Sequence, residues 1–214
     1  MIFEKHLSKQ SNKEKEGIIM EEYNTEEIIC RLLNETKRRG VTKLIKHMHD
    51  IGFFEAPAST RFHGSYYGAL AEHSLNVFNT AVDLAIVLMG EKWYEQNFNS
   101  IVISSLLHDL GKCGQFDKPL YIENIIESGE KLEAQPFKIN DELTTLDHEI
   151  VSIIEASRFI KLTEDEQFAI AYHNGLYTNI GKYRLQGKEK ILQMIIHWAD
   201  MWASRVTEKG EDNE

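Results

Sequence analysis

The sequence predicts an all-α bundle that carries one small β-hairpin. Three observations lead there. Proline occurs only 3 times in 214 residues, so little interrupts long helices. Apolar residues recur at three- and four-residue intervals along most of the chain. A single stretch, near residues 120–139, departs from that spacing. At 42% hydrophobic and 27% charged residues, one domain of this length has ample apolar surface for a core.

The elements follow in order. Residues 1–22 mix Lys and Glu around few apolar positions and lack the apolar core of a signal peptide; they read as a mobile N-terminal arm. The domain proper is expected over 23–207. Thr25 to Arg39 is a first helix with Ile28, Ile29, Leu32 and Leu33 on one face, ended by Gly40. Val41 to Ile51 is a second, with Leu44, Ile45 and Met48 inward. Residues 53–67, with Pro57 and Gly64, are irregular. Ala69 to Met89 is a long helix offering Leu70, Val77, Val82, Leu84, Ile86 and Val87 to the core. After a connection over Trp93–Phe98, Ile101 to Leu110 is short and apolar enough to be buried on most sides. Ser128-Gly129 is a turn between Leu120–Ile126 and Lys131–Ile139, the hairpin. Helices resume over Thr145–Phe159 and Thr163–His173, the latter opened by the capping box Thr163–Glu166. The last runs from about Lys188 to Val206 with Ile191, Ile195, Trp198, Ala199 and Trp202 inward, and 208–214 form a polar tail.

Charge and cysteine usage narrow the function classes. A net charge of −10 disfavours a non-specific grip on duplex nucleic acid, which needs a Lys/Arg footprint, but admits a small anionic substrate at a cationic centre. Cys30 and Cys113 form no CxxC, so neither a disulfide scaffold nor a Cys-rich zinc site is expected, and a cytoplasmic location fits. No apolar run reaches the ~20 residues of a membrane span.

Chemistry concentrates at a few polar residues set in apolar surroundings. His108-Asp109 follows the run Ile101 to Leu107. An ionised carboxylate there is costly to bury unless it is paired or binds a cation. Adjacent helical residues point about 100° apart, so one metal between them can take both. Asp200, among Trp198, Ala199, Met201 and Trp202, poses the same problem. His73 shares a helix side with Leu70 and Val77, and histidine is the commonest metal ligand. Taken singly, each histidine reads more often as a satisfied core or surface residue than as a ligand, and Asp109 or Asp200 can be a helix-end residue or a buried acceptor; the combination points to a divalent metal of the Mn, Fe, Co, Ni or Zn type. Lys112 reads equally as a cation for phosphoryl oxygens and as a solvated lysine suited to a helix end.

At these residues the sequence resembles the HD superfamily of metal-dependent phosphohydrolases: His73, then His108-Asp109 within His-Asp-Leu-Gly-Lys, then Asp200, over about Ala56 to Ser204. The stretches Ala58 to His63 and Tyr66 to Leu75 are similar to a subgroup of bacterial and prophage-associated HD hydrolases and to the HD part of a bacterial 3′–5′ exoribonuclease family. The resemblance implies an HD-type helical bundle. It implies one metal on His73, His108, Asp109 and Asp200, and Asp109 bridging to a second on His148 and His173. The chain departs from the pattern at Leu146-Asp147-His148-Glu149, where relatives carry Gly-His-Gly-Glu, and at Tyr172-His173, where several carry His-His.

The expected reaction is hydrolysis of a phosphomonoester or phosphodiester of a nucleotide or short single-stranded oligonucleotide by metal-activated water. Asp109, Lys112 and His63 are the catalytic candidates, His63 as general acid; Arg61, His63, Lys112 and Tyr67 are the substrate-binding candidates. Glu72 and Glu149 each adjoin an expected ligand and can orient its imidazole. The Trp93–Phe98 connection and the N-terminal helix offer a surface for a homo-oligomer. The alternatives are a catalytically silent HD-fold module that senses nucleotides or acts as a scaffold while retaining metal, and a helical interaction protein without metal.

Overall fold

The computed structural model describes residues 24–61, 64–144 and 146–209. The expected arm 1–22 and His63 lie outside the described residues. Helix α1 (Thr25–Glu35) opens on the capping box of Asn24 with Glu27. It ends before Lys37, whose φ is 51°, four residues short of the expected Arg39. Helix α2 (Val41–Asp50) follows, then the irregular segment, then α3 (Ala69–Met89).

Helix α4 spans Glu91–Leu107, ten residues longer at its start than the sequence suggests. The Glu, Gln and Asn residues of its first turns mask the apolar spacing, yet Tyr94 is buried and Trp93 and Phe98 pack on the core. The stretch expected to be a connection, and a surface for self-association, is therefore a core-facing helix.

The hairpin is present. Strand β1 (Tyr121–Glu123) pairs antiparallel with β2 (Phe137–Ile139), Tyr121 opposite Ile139. The Gly129 N–H donates to Ile126 O at 2.9 Å, closing the turn. Its base docks on the irregular segment, where Phe137 N–H donates to Thr60 O.

Helices α5 (His148–Ser157) and α6 (Glu164–Ala171) start or stop short of the expected bounds, and α6 opens on the expected Thr163–Glu166 capping box. A short α7 (Asn179–Arg184), with no apolar stripe to announce it, precedes α8 (Ile191–Trp202). The chain then widens into a π-turn over Ala203–Thr207.

The face of α8 differs from expectation. Leu192, Ile195, Ile196, Ala199 and Ala203 are buried, whereas Ile191, Trp198 and Trp202 are exposed by 42%, 41% and 56%. The observed stripe keeps strict three- and four-residue spacing and is made of smaller side chains that let α8 close on α3. Val87, near the end of α3, is likewise exposed. Helix α3 is the axis of the bundle, packing most extensively on α4 and α8. Val77, Phe78 and Ala81 meet the fully buried Ile101, Leu106 and Leu107 in one core. The fold is all-α with a single two-stranded hairpin among the described residues. No described helix is long and apolar enough to cross a membrane.

Candidate metal centre

Six side chains from five places in the chain meet at one end of this core. His73 comes from the second turn of α3 and His108 from the C-cap of α4. Asp109 follows at φ −106° and ψ 11°, in the sparsely populated bridge region where active-site residues recur. His148 is the first residue of α5, His173 lies just past the end of α6, and Asp200 projects from α8.

The turn Leu110–Cys113 fixes Asp109 against α5. The Gly111 N–H donates to Ser152 Oγ (2.8 Å), which in turn donates to His148 O (2.8 Å). A Cβ on Gly111 would stand 2.2 Å from His148 O and 2.8 Å from Val151 Cβ. Glycine in His-Asp-Leu-Gly-Lys is thus a condition for bringing His148 up to Asp109.

The Asp109 carboxylate divides between two groups. Its Oδ2 lies 3.4 Å from His108 Nε2, 3.6 Å from His73 Nε2 and 2.6 Å from Lys112 Nζ. Its Oδ1 lies 3.2 Å from His148 Nε2 and 3.5 Å from His173 Nε2. Asp200 Oδ1 stands 3.2 Å from His73 Nε2 and 4.0 Å from His108 Nε2.

The outer ring nitrogens decide what the inner ones present. His108 Nδ1 faces Ser105 O at 2.7 Å and His173 Nδ1 faces Ile170 O at 2.9 Å; a carbonyl only accepts, so each Nδ1 carries the proton and each Nε2 turns a lone pair inward. His148 Nδ1 is backed by Glu149 Oε2 (3.3 Å) and His73 Nδ1 by Glu208 Oε1 (2.9 Å). Consequently Nε2 faces Nε2 at 3.3 Å between His73 and His108, and at 3.4 Å between His148 and His173. Asp109 Oδ1 is buried and makes no hydrogen bond among the described residues. Inward lone pairs around an unsatisfied buried carboxylate oxygen are costly by themselves and suit a cation. The donor set of imidazole nitrogen and carboxylate oxygen fits a divalent transition metal. Ligand atoms of His73, His108 and Asp200 lie within 4.8 Å of one another, as do those of His108, Asp109 and His173, and of His148, Glu149 and His173.

The electrostatics agree. Burial alone would lower the His73 pKa, but Asp200, Glu208 and Asp109 outweigh it and hold it up to about 9. A proton there stands where a metal cation would. Burial and the neighbouring His108 push His173 down to about 4. Burial would raise Asp109, yet Lys112 and His108 hold it well below the usual carboxylate range; Asp200 is held low against burial by His73 and His108. Lys112, despite burial, is raised by Asp109 and stays cationic.

A cleft of ≈ 200 Å³ opens over these groups, with Lys112, Ser59, Asn174, Ser204 and Glu208 in its wall. Arg61 is exposed on the loop that sends Ala58 and Ser59 into that wall. Tyr67 is engaged by the hairpin: its hydroxyl donates to Glu123 Oε1 (3.2 Å) and its ring meets Phe137 edge-on. Of the two glutamates expected to orient an imidazole, Glu149 does face one, and its other oxygen accepts from Asn174 Nδ2 (2.7 Å). Glu72 is exposed and accepts from Tyr66 instead (2.5 Å); burial, with that hydrogen bond, raises the phenol to about 12. The carboxylate behind His73 is Glu208, which a reading of the sequence leaves in a polar tail. Asn174 and Ser204 were equally without a signal, since both sit among ordinary polar residues.

A family described as HD domain matches residues 70–203. A dihydroneopterin 2′,3′-cyclic phosphate phosphodiesterase from Methanocaldococcus jannaschii is 41% identical over 58 residues, covering 27% of this chain and 23% of that protein. The match therefore spans under a quarter of the relative's length. No solved structure matches the chain.

Proposed function

This chain belongs to the HD domain family, and on that premise we propose that it is a metal-dependent phosphohydrolase acting on a nucleotide or short single-stranded oligonucleotide. One observation carries the reading: four imidazoles, with their outer nitrogens occupied, surround the divided Asp109 carboxylate and its unsatisfied Oδ1. His73, His108, Asp109 and Asp200 would hold one divalent metal (Mn, Fe, Co, Ni or Zn). His148 and His173 would hold a second, sharing Asp109. When bound, the metal supplies Lewis acidity, acidifying water and offsetting phosphoryl charge.

The chain's own residues supply the rest. Lys112 keeps its proton and reaches the cleft at the Oδ2 side of Asp109, where it offsets charge on a phosphoryl oxygen. Asn174 adds an amide donor held between Glu149 and His173. Arg61, His63 and Tyr67 follow the cleft residues Ala58 and Ser59 in the sequence; His63 is the candidate to hand a proton to the leaving oxygen, and Arg61 and Tyr67 to hold substrate.

Two features favour an aromatic nucleotide over a bare phosphate. Tyr177 is 61% exposed three residues after Asn174, and the Arg205 guanidinium lies 4.8 Å from its ring centroid, next to Ser204. An exposed ring and a guanidinium that follow the cleft residues Asn174 and Ser204 in the chain are surfaces on which nucleobases can stack. The partial relative is named as a dihydroneopterin 2′,3′-cyclic phosphate phosphodiesterase, which favours diester over monoester cleavage. The cleft is small and the chain's net charge is −10, which disfavours duplex nucleic acid.

Asp109→Ala tests the proposal. It is expected to abolish hydrolysis of nucleoside 2′,3′-cyclic phosphates and of a generic phosphodiester, and to remove bound metal as measured by elemental analysis. Full metal content with unchanged turnover overturns it. Metal retained by the native chain without turnover on any nucleotide would transfer the protein to the sensing or scaffold alternative.

A further inference from the structure

We infer that Glu208 is a positioning residue for the centre, brought into place by the π-turn that ends α8. The inference rests on the proposed metal site and extends it to a residue beyond the last expected ligand.

The backbone carries the first part of the argument. Asp200 and Glu208 are eight residues apart. In an uninterrupted α-helix, eight steps of about 100° leave two side chains roughly 80° apart, so both cannot face one ring. Here the helix widens over Ala203–Thr207, and the Glu208 N–H donates to Ala203 O, five residues back, at 2.9 Å. A π-turn of this kind absorbs one residue. Glu208 then occupies the angular place of a seventh residue, about 20° from Asp200. The insertion returns it to the cleft side of the helix, beside Asp200 and Ser204.

The side chain carries the second part. Asp200 Oδ1 meets His73 at Nε2 (3.2 Å), while Glu208 Oε1 and Oε2 meet Nδ1 of the same ring at 2.9 and 3.2 Å. The two carboxylates grip opposite edges of one imidazole. Asn76, one turn after His73 on α3, donates from Nδ2 to Glu208 Oε1 (3.2 Å), fixing the carboxylate on the α3 side. Glu208 is not among the described groups whose donor atoms cluster as ligands. It reaches the outer nitrogen, where it fixes the tautomer that leaves the Nε2 lone pair free and makes that nitrogen more basic. Partners of this kind on a ligand's far nitrogen commonly govern metal affinity about 10–100-fold.

His108 and His173 obtain the same service from backbone carbonyls of their own turns. His73 lies early in α3, with its outer nitrogen turned toward the chain beyond α8. The π-turn that ends α8 thereby belongs to the metal centre.

The test measures metal affinity directly. Mn²⁺ is titrated calorimetrically into the full metal-free chain, its Glu208→Ala and Glu208→Gln variants, and His73→Ala. Glu208→Ala is expected to weaken binding about 10–100-fold. Glu208→Gln, whose amide oxygen still accepts from Nδ1 but brings no charge, is expected to recover part of that loss. The thermal midpoint of the metal-free protein, read alongside, separates a damaged fold from a misplaced ring; a side chain that only filled space would be rescued fully by the isosteric Gln, so the shortfall of Gln reads the carboxylate's charge on Nδ1. If both Glu208 variants, folded, bind Mn²⁺ as tightly as the native chain while His73→Ala does not, the positioning role is overturned and the metal site stands. If the native chain binds no divalent metal, the metal site falls and this inference with it.

Discussion

The two halves of the centre are built differently, although they share one carboxylate. The half around His73, His108 and Asp200 draws on the interiors and caps of the three longest packed helices. It is almost closed to solvent and adds two carboxylates, Asp200 and Glu208, to its share of Asp109. The half around His148 and His173 uses the first residue of one helix and a residue just past the end of another. His148 keeps a side-chain exposure of 26%, and the added carboxylate there is Glu149 alone. More fixed negative charge in a more rigid frame favours a cation in the first half. On the proposed two-metal reading, the second half would hold its ion more weakly. The sequence departures at Asp147 and Tyr172 flank the second pair of histidines and lie outside the first half.

The largest expected effect sets the halves directly against each other. His73→Ala should lose essentially all bound metal, while His148→Ala should retain roughly one equivalent at little-changed affinity. Elemental analysis of the two purified variants decides it, and equal losses would dissolve the distinction.

Next in size is an opposite response to pH in the metal-free protein. The His73 pKa is raised in the folded chain to about 9 by its carboxylates, against burial. Its contribution to stability is fully present below the unfolded value of about 6.5 and is lost as pH rises through 9, on the order of 3 kcal/mol in all. The His173 pKa is lowered to about 4 by burial and by His108. Protonation there favours the unfolded chain, so stability falls as pH drops from about 6.5 toward 4. Denaturant midpoints across pH 4–10 should show both limbs in chelator-treated protein, with His73→Gln removing the alkaline one and His173→Gln flattening the acid one. A native profile flat above pH 7 would contradict the first half's charge.

The smallest effect sharpens where the halves are joined. Gly111→Ala forces a methyl against His148 O and Val151, and such overpacking costs about 1–3 kcal/mol. Because the strain pushes α5 away from Asp109, the second metal should weaken more than the first, as two-site Mn²⁺ titration would report. Equal weakening would mean that the turn positions Asp109 for both halves alike.

Much of this was legible in the chain. The helices with clean apolar stripes, the hairpin with its Ser128-Gly129 turn, and the Thr163–Glu166 cap follow from local spacing and capping chemistry. The start of α4 did not, because its first turns are polar on the outside and bury only single aromatic residues per turn. The exposed side of α8 was misjudged because tryptophan is hydrophobic yet large enough to lie half-covered at a surface. At the site, His108-Asp109 stood out because a charge beside an apolar run needs a partner. Glu208 did not, because a glutamate among Lys, Glu and Asp reads as solvated and its eight-residue distance from Asp200 matches no helical face.

The sequence by itself determined the helices with clean apolar stripes, the hairpin, and the His and Asp side chains that stand in apolar surroundings, since each depends on neighbours within a few residues. The tertiary structure decided which nitrogens face inward, how Asp109 divides between its neighbours, and that the π-turn after α8 brings Glu208 behind His73. Those are distances between atoms on separate helices, set by how closely α3, α4, α5 and α8 pack and by one residue absorbed in a π-turn. Local spacing carries no record of either.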